Sequence, residues 1–189
     1  MQTTTTERTA PVLPAGTWDI DPTHSMVEFS VRHLMVSKVK GRFGRFSGTI
    51  TSGTKPLDAG VEATIDIDSI DTNDPQRDAH LRSPDFLDAE RYPTAVFASR
   101  RIRQAGADYV VDGDLTLHGV TRPVELRLEF NGVGGDPYGG TRAGFSATIE
   151  ISRREFGVDI SIPLANGGVV VGDKITINLE IEAVARAAS

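Results

Sequence analysis

The chain has 189 residues, 39% hydrophobic and 24% charged, proportions that fit one globular domain. Its net charge of −6 argues against a nucleic-acid partner, which calls for a basic face, and the lack of cysteine excludes disulfides and thiolate chemistry. The longest uninterrupted apolar runs fall far short of a membrane span, so no integral membrane segment is expected.

Residues 1–16 have neither a basic start nor an apolar h-region, so they read as a disordered leader without a secretory signal. On that reading the protein is cytoplasmic, and residues 17–189 form a single domain. Residues 17–20 make a short edge strand, ended by Asp21-Pro22. Residues 24–33 alternate, with Val27, Phe29, Val31 and His33 on one face and Met26, Glu28, Ser30 and Arg32 on the other. Residues 38–50 carry Val39, Gly41 and Phe43, then a shift of phase near Gly44, then Phe46, Gly48 and Ile50. A glycine at such a shift predicts a bulge that bends the strand, as closure of a barrel requires. After a loop over 52–60, residues 61–67 set Ala63, Ile65 and Ile67 against Glu62, Thr64 and Asp66.

Residues 69–93, SIDTNDPQRDAHLRSPDFLDAERYP, are the one long break in the alternation. Asp74-Pro75 reads as an N-cap followed by proline at the first helical position. Pro84 forbids one continuous helix, so a helical turn, a break and a second short helix over 85–90 are expected. Leu81 and Phe86 supply apolar side chains, which makes the segment a flap over one end of an all-β body.

Beyond the flap, Phe97 lies on an alternating strand, and Tyr109, Val111, Gly113, Leu115 and Leu117 share one side of the next. His118-Gly119 turns the chain into a strand with Val124, Leu126, Leu128 and Phe130 in phase. A glycine-rich loop then leads to residues 142–151, where Phe145, Ala147 and Ile149 share a face. A second irregular stretch covers 153–172 and includes Ser161-Ile162-Pro163. The last strand, 174–183, presents Ile175, Ile177, Leu179 and Ile181 together.

Eight long strands, counted from His24, each with one apolar face, predict an all-β, eight-stranded antiparallel up-and-down barrel with a short helical flap. An immunoglobulin-type sandwich lacks support, because there is no cysteine and the one tryptophan lies at the amino-terminal edge. The inner wall is expected from Val27, Phe29, Val31, Val39, Phe43, Phe46, Ile65, Ile67, Phe97, Phe145, Ala147, Ile149, Ile177 and Leu179. Whether they meet and fill the interior, or enclose a lumen beside small residues such as Gly41, Gly48 and Ala63, is left open by periodicity alone.

Five stretches carry a family likeness: WDIDPTHSMVEFSVRHLMVSKVKGRFGRFSG, SIDTNDPQRDAHLRSPDFLDAERYPTAVFAS, GDLTLHGVTRPVEL, GFSATIEISRREFGVD and VGDKITINLEIEA. In this order, over residues 17–184, the chain resembles the YceI-like proteins. The resemblance implies an extended lipocalin-like barrel whose lumen binds a polyisoprenoid or an isoprenoid quinone. It favours a cavity over a filled interior. The candidate ligand contacts are then the wall residues above, together with His33 and the flap residues Leu81 and Phe86. Many relatives carry an export signal and are periplasmic; this sequence departs from them in the lack of one.

Three functions compete on these grounds. The first is a module that sequesters or carries an isoprenoid lipid, needing no cofactor beyond its ligand. The second is an enzyme of isoprenoid metabolism or stress response, which requires a polar cluster in the lumen, with His33 the candidate. The third is a protein that presents its outer surface to a redox partner or membrane protein, which requires an exposed apolar patch, and the sequence shows no obvious one; apart from that, Met26, Leu34 and Met35 are stray apolar residues that give a weak hint of a homodimer contact. No GxSxG, HExxH, P-loop or GxGxxG followed by a helix occurs. Asp66 and Asp68, two apart, fall on the polar face as solvated carboxylates rather than an acid–base pair. His24, His33, His80 and His118 show no local chelating spacing and adjoin turns, where imidazole caps backbone groups; no metal site is expected.

Overall fold

Alternation along nearly the whole chain yields one continuous antiparallel sheet, because each strand has a single face to bury. The computed structural model describes residues 12–162 and 170–187, and all its strands belong to that sheet. In chain order they are β1 (Gly16–Ile20), β2 (Met26–His33), β3 (Ser37–Phe43), β4 (Phe46–Ser52), β5 (Gly60–Asp66), β6 (Ile70–Asp71), β7 (Thr94–Ala105), β8 (Asp108–Leu117), β9 (Val120–Gly135), β10 (Thr141–Ser152) and β11 (Val171–Ala185). One helix, α1 (Pro75–Arg82), lies between β6 and β7. No helix among the described residues is long and apolar enough to cross a membrane.

Strand β4 pairs with β5, β5 with β7, and then each strand with the next through β11. Strand β11 closes the ring by pairing with β2 along its first part and with β1 along its last residues. Strands β1 and β2 therefore lie end to end as one interrupted stave. Strands β3 and β4 form the next, bent at Gly44-Arg45, where the phase shift predicts it. The result is a closed barrel of eight up-and-down antiparallel staves.

Residues 17–20 are not an edge strand. Strand β1 is hydrogen-bonded on both sides, Trp18 standing opposite Ile50 and Ala185. The reason is the bend at Gly44, beyond which β4 leaves the line of the β2–β3 hairpin and opens a gap toward β11 that β1 fills. Trp18, 2% exposed, locks the seam by packing with Ile50, Phe145 and Ala183. Part of the stretch expected as a leader joins this seam: Leu13 packs on the same cluster, and Trp18 Nε1 donates to the Pro14 carbonyl. Residues 1–11 lie outside the described residues.

The flap begins as predicted, with the Asp74 carboxylate accepting from the Gln76 and Arg77 amides at the start of α1. The second helix expected over 85–90 does not form. The amides of Leu87, Asp88 and Ala89 bond back to the carbonyls of Leu81, Ser83 and Arg82, so the segment folds over the end of α1 as a series of turns. Between β10 and β11, Arg153–Phe156 makes a 3-10 turn ended by Gly157 at φ 74°. Pro163, named in the irregular stretch, lies outside the described residues.

Candidate functional site

The lumen is divided. At the end where β4 meets β5 and β7 meets β8 it holds a cavity of about 200 Å³. Val12 and Pro56 line this cavity and are themselves exposed, so it reaches solvent at that rim. Deeper in, Phe46, Ile65, Phe97, Ile149 and Ile177 face one another from five different strands. Among the described residues, hydroxyl groups enter the lining only from Ser47 and Tyr109, and no charged side chain does. Such a wall offers shape and apolar contact, with almost nothing to hydrogen-bond a polar solute.

The opposite end is plugged. Ile151 and Phe156, the latter 1% exposed, fill it, packed under Val111, Leu115, Leu126 and Ile149, whose side chains also line the bottom of the cavity. The His118-Gly119 turn closes over it with both residues at positive φ, the paired geometry of a tight hairpin. His118 Nδ1 lies 3.1 Å from the Phe156 carbonyl oxygen, and the Tyr92 ring packs beside His118 and over Gly119. Any side chain at Gly119 would collide with that ring.

Two buried polar groups, Asp78 and Arg153, anchor the plug. The Asp78 carboxylate accepts from the Thr72 amide and hydroxyl, while Arg77 donates to the Thr72 hydroxyl and carbonyl. Arg77 and Asp78 thus pin the flap through Thr72, and His80, also on α1, meets exposed Asp85. Arg153, 5% exposed, donates to the carbonyls of Val158, Val171 and Gly172, tying the 3-10 turn to β11. Burial lowers its pKa, since charge there has lost water.

Of the expected wall residues, the cavity is lined by Val27, Phe46, Ile65, Phe97, Phe145 and Ala147, and by Ile149, Ile177 and Leu179. Eight others lie elsewhere. Phe29 and Phe43 stack with ring centroids 5.6 Å apart, and the Phe29 ring covers Gly41 beside Thr72, so they fill the space under the flap. Val31 and Val39 pair across β2 and β3 beyond those rings, and His33 ends β2 opposite Ser37 and Val171, away from the cavity lining. Ile67 is buried in a 3-10 turn after β5. Leu81 and Phe86 cover the plugged end, where the Phe86 ring meets His80 edge-on. Gly41 and Gly48 make no room in the lumen either, because Phe29 lies on the first and Ile20 on the second.

The wall contributed by β8 and β9 was missed as site, although its alternation was plain. Tyr109, Val111 and Leu115 line the cavity from β8, and Leu126, Leu128 and Phe130 from β9. Asp68 lies in the turn after β5 rather than on the strand with Asp66; both carboxylates face Arg45 on the outside.

Asp21, His24 and Glu182 place ligand atoms within 4.8 Å of one another, a spacing a metal ion could use. Arg142 already occupies the centre, donating to Asp21, Glu182 and Asp136. Its positive charge stands where a cation would have to sit, so the cluster is a latch across the seam between β1 and β10–β11. Hydrogen bonds from His24 and from Arg142 hold the Asp21 carboxyl well below the usual range.

A family model for the YceI-like domain matches residues 18–183. The chain belongs to the YceI-like family. Among curated relatives, a UPF0312 protein of Photorhabdus laumondii is 45% identical over 139 residues, spanning 73% of this chain and 72% of its own. Solved barrels of similar fold include BcnA of Burkholderia cenocepacia, with TM-score 0.73, 24% identity, and coverage of 86% of this chain and 98% of that one. A polyisoprenoid binding domain from Saccharophagus degradans, implicated in plant cell wall breakdown, gives TM-score 0.69 at 17% identity, over 89% of this chain and 98% of its own. At those identities the two structures speak to the fold of this YceI-like barrel and leave its ligand to its own lumen.

Proposed function

We propose that this YceI-like barrel binds the hydrocarbon tail of a long isoprenoid lipid, a polyisoprenoid or an isoprenoid quinone, and sequesters or carries it. The observation behind this reading is the lumen wall: apolar from the rim at Val12 and Pro56 down to Ile149 and Ile177, and, among the described residues, free of charge. Each methylene removed from water contributes about 0.8 kcal/mol, so some twenty carbons gain roughly 16 kcal/mol before the cost of ordering the chain. A neighbour of the same fold is a polyisoprenoid binding domain, which suggests the same class of tail here.

The cavity, about 200 Å³, is smaller than the roughly 300–1,000 Å³ of most ligand pockets. A short length of tail fits the present wall; a long one requires side chains such as Phe46 and Phe97 to swing aside. Selection is therefore by cross-section and length, and the head group stays at the rim near Tyr109. The enzyme alternative needs an acid–base cluster facing the lumen, and its candidate, His33, is not part of the lining. Binding without turnover is thus the better-supported reading.

The test is organic extraction and native mass spectrometry of the purified protein, before and after incubation with an isoprenoid quinone. A bound lipid, or stoichiometric uptake, is expected. Neither lipid nor uptake would overturn the proposal.

A further inference from the structure

The β2–β3 hairpin ends in a turn that contradicts its own geometry. The Val36 amide bonds to the His33 carbonyl, and the central residues, Leu34 and Met35, sit at φ 51° and 62°. Turns of this kind favour asparagine and glycine, because a larger side chain at positive φ crowds the backbone. Here two bulky apolar residues occupy those positions and point into solvent, with Leu34 40%, Met35 51% and Val36 84% exposed. Ile162, 45% exposed, adjoins them through Val170, which bonds to both Ile162 and Leu34. Folding gains nothing from this arrangement, so the residues need another explanation.

The outer face of the same hairpin supplies it. Arg32 and Lys38 are cross-strand partners, and Lys40 follows on the same face. All three are exposed. Whereas Arg42 further up the hairpin pairs with Asp71, none of these three pairs with a carboxylate among the described residues. A cationic patch on a chain of net charge −6 is a local inversion of sign.

From this juxtaposition we infer that the β2–β3 hairpin docks the protein on an anionic lipid bilayer: Leu34, Met35 and Val36 enter the interface, and Arg32, Lys38 and Lys40 meet the head-group phosphates. The cations select a bilayer over a second copy of this chain, which would bring like charges together at the same tip. The hairpin lies at the end of the barrel away from the Val12–Pro56 rim, so docking leaves the cavity mouth unobstructed.

Co-sedimentation with vesicles of phosphatidylcholine mixed with phosphatidylglycerol, and with phosphatidylcholine alone, tests this without any isoprenoid present. Failure here leaves the lumen reading standing, and failure of lipid uptake leaves this one standing. Binding is expected to the anionic vesicles only, weakening as salt is raised. The pair Met35→Gly and Val36→Ser should reduce it about tenfold or more, and so should Lys38→Glu with Lys40→Glu. The melting temperature should hold or rise in Met35→Gly, because glycine suits the positive φ. Equal binding to neutral vesicles, or no binding to anionic ones, overturns the inference. So does a dimer in sedimentation velocity that the tip substitutions dissociate.

Discussion

The two ends of the barrel are built on different principles. At the plugged end, apolar side chains meet across the axis, and the polar groups are satisfied: buried Asp78 by Thr72, buried Arg153 by three carbonyls, half-buried His118 by Phe156. At the rim, the walls stand apart around a cavity whose lining residues Val12 and Pro56 are exposed, as is Leu57 next to Pro56. The same alternating strands run through both ends. What differs is the connections: the helical flap and the buried Arg153–Phe156 turn converge at one end, while the other carries an exposed 3-10 turn, Pro56–Asp58. Closing one end firmly leaves the other able to move, which is what admission of a flexible tail demands.

Substitutions can break that contrast, beginning with the largest effect. Phe156→Ala removes the centre of the plug and should destabilise by about 3–5 kcal/mol in denaturant unfolding. Asp78→Ala strands the buried Thr72 amide and hydroxyl and should cost about 1–3 kcal/mol. Leu57→Ser at the rim should stay within about 0.5 kcal/mol of the parent. If the rim substitution cost as much as the plug substitutions, the division into a rigid end and a yielding one would be wrong.

Acid sharpens the comparison, because strongly depressed carboxylates lie outside the lumen, on the seam and the outer wall. Asp112 accepts from Arg103 and then Arg101, which lowers its pKa to about 2 from an ordinary value of 3.8. Asp21 is lowered too, through His24 and Arg142. In the unfolded chain these groups take up protons at higher pH than in the folded one. Their contribution is therefore complete above the ordinary carboxylate range and is lost as pH falls from near 4 toward 2. Their partners Arg101, Arg103 and His24 have side chains open to solvent, which screens these pairs, so the loss should be small. Thermal melts between pH 5 and pH 2 should show a decline of about a few degrees at most, which Arg142→Met flattens in part through Asp21.

Much of the fold was legible because period-two alternation states which face of each strand is dry, and Gly44 marked the bend. Alternation does not state what the dry face meets. Phe29 and Phe43 share the phase of Val27, yet the bend at Gly44 turns β3 toward β6, and Thr72 and the flap occupy the space before them. Strand β1 looked like an edge because its role depends on a gap created by residues far away in sequence. The second flap helix failed for a similar reason: its amides found better partners in the carbonyls ending α1. Arg153 gave no signal, since an arginine among charged neighbours reads as surface until its three carbonyls are in place.

The central claim is that the cavity below the Val12–Pro56 rim takes the tail. Ala147 lines it, and Ala147→Trp would fill it from the wall without adding charge. Isoprenoid-quinone uptake should be measured by equilibrium titration for the parent and for this variant, with circular dichroism confirming that both are folded. One tail per barrel for the parent and none for the variant is the expected result; equal uptake by the two would contradict the account.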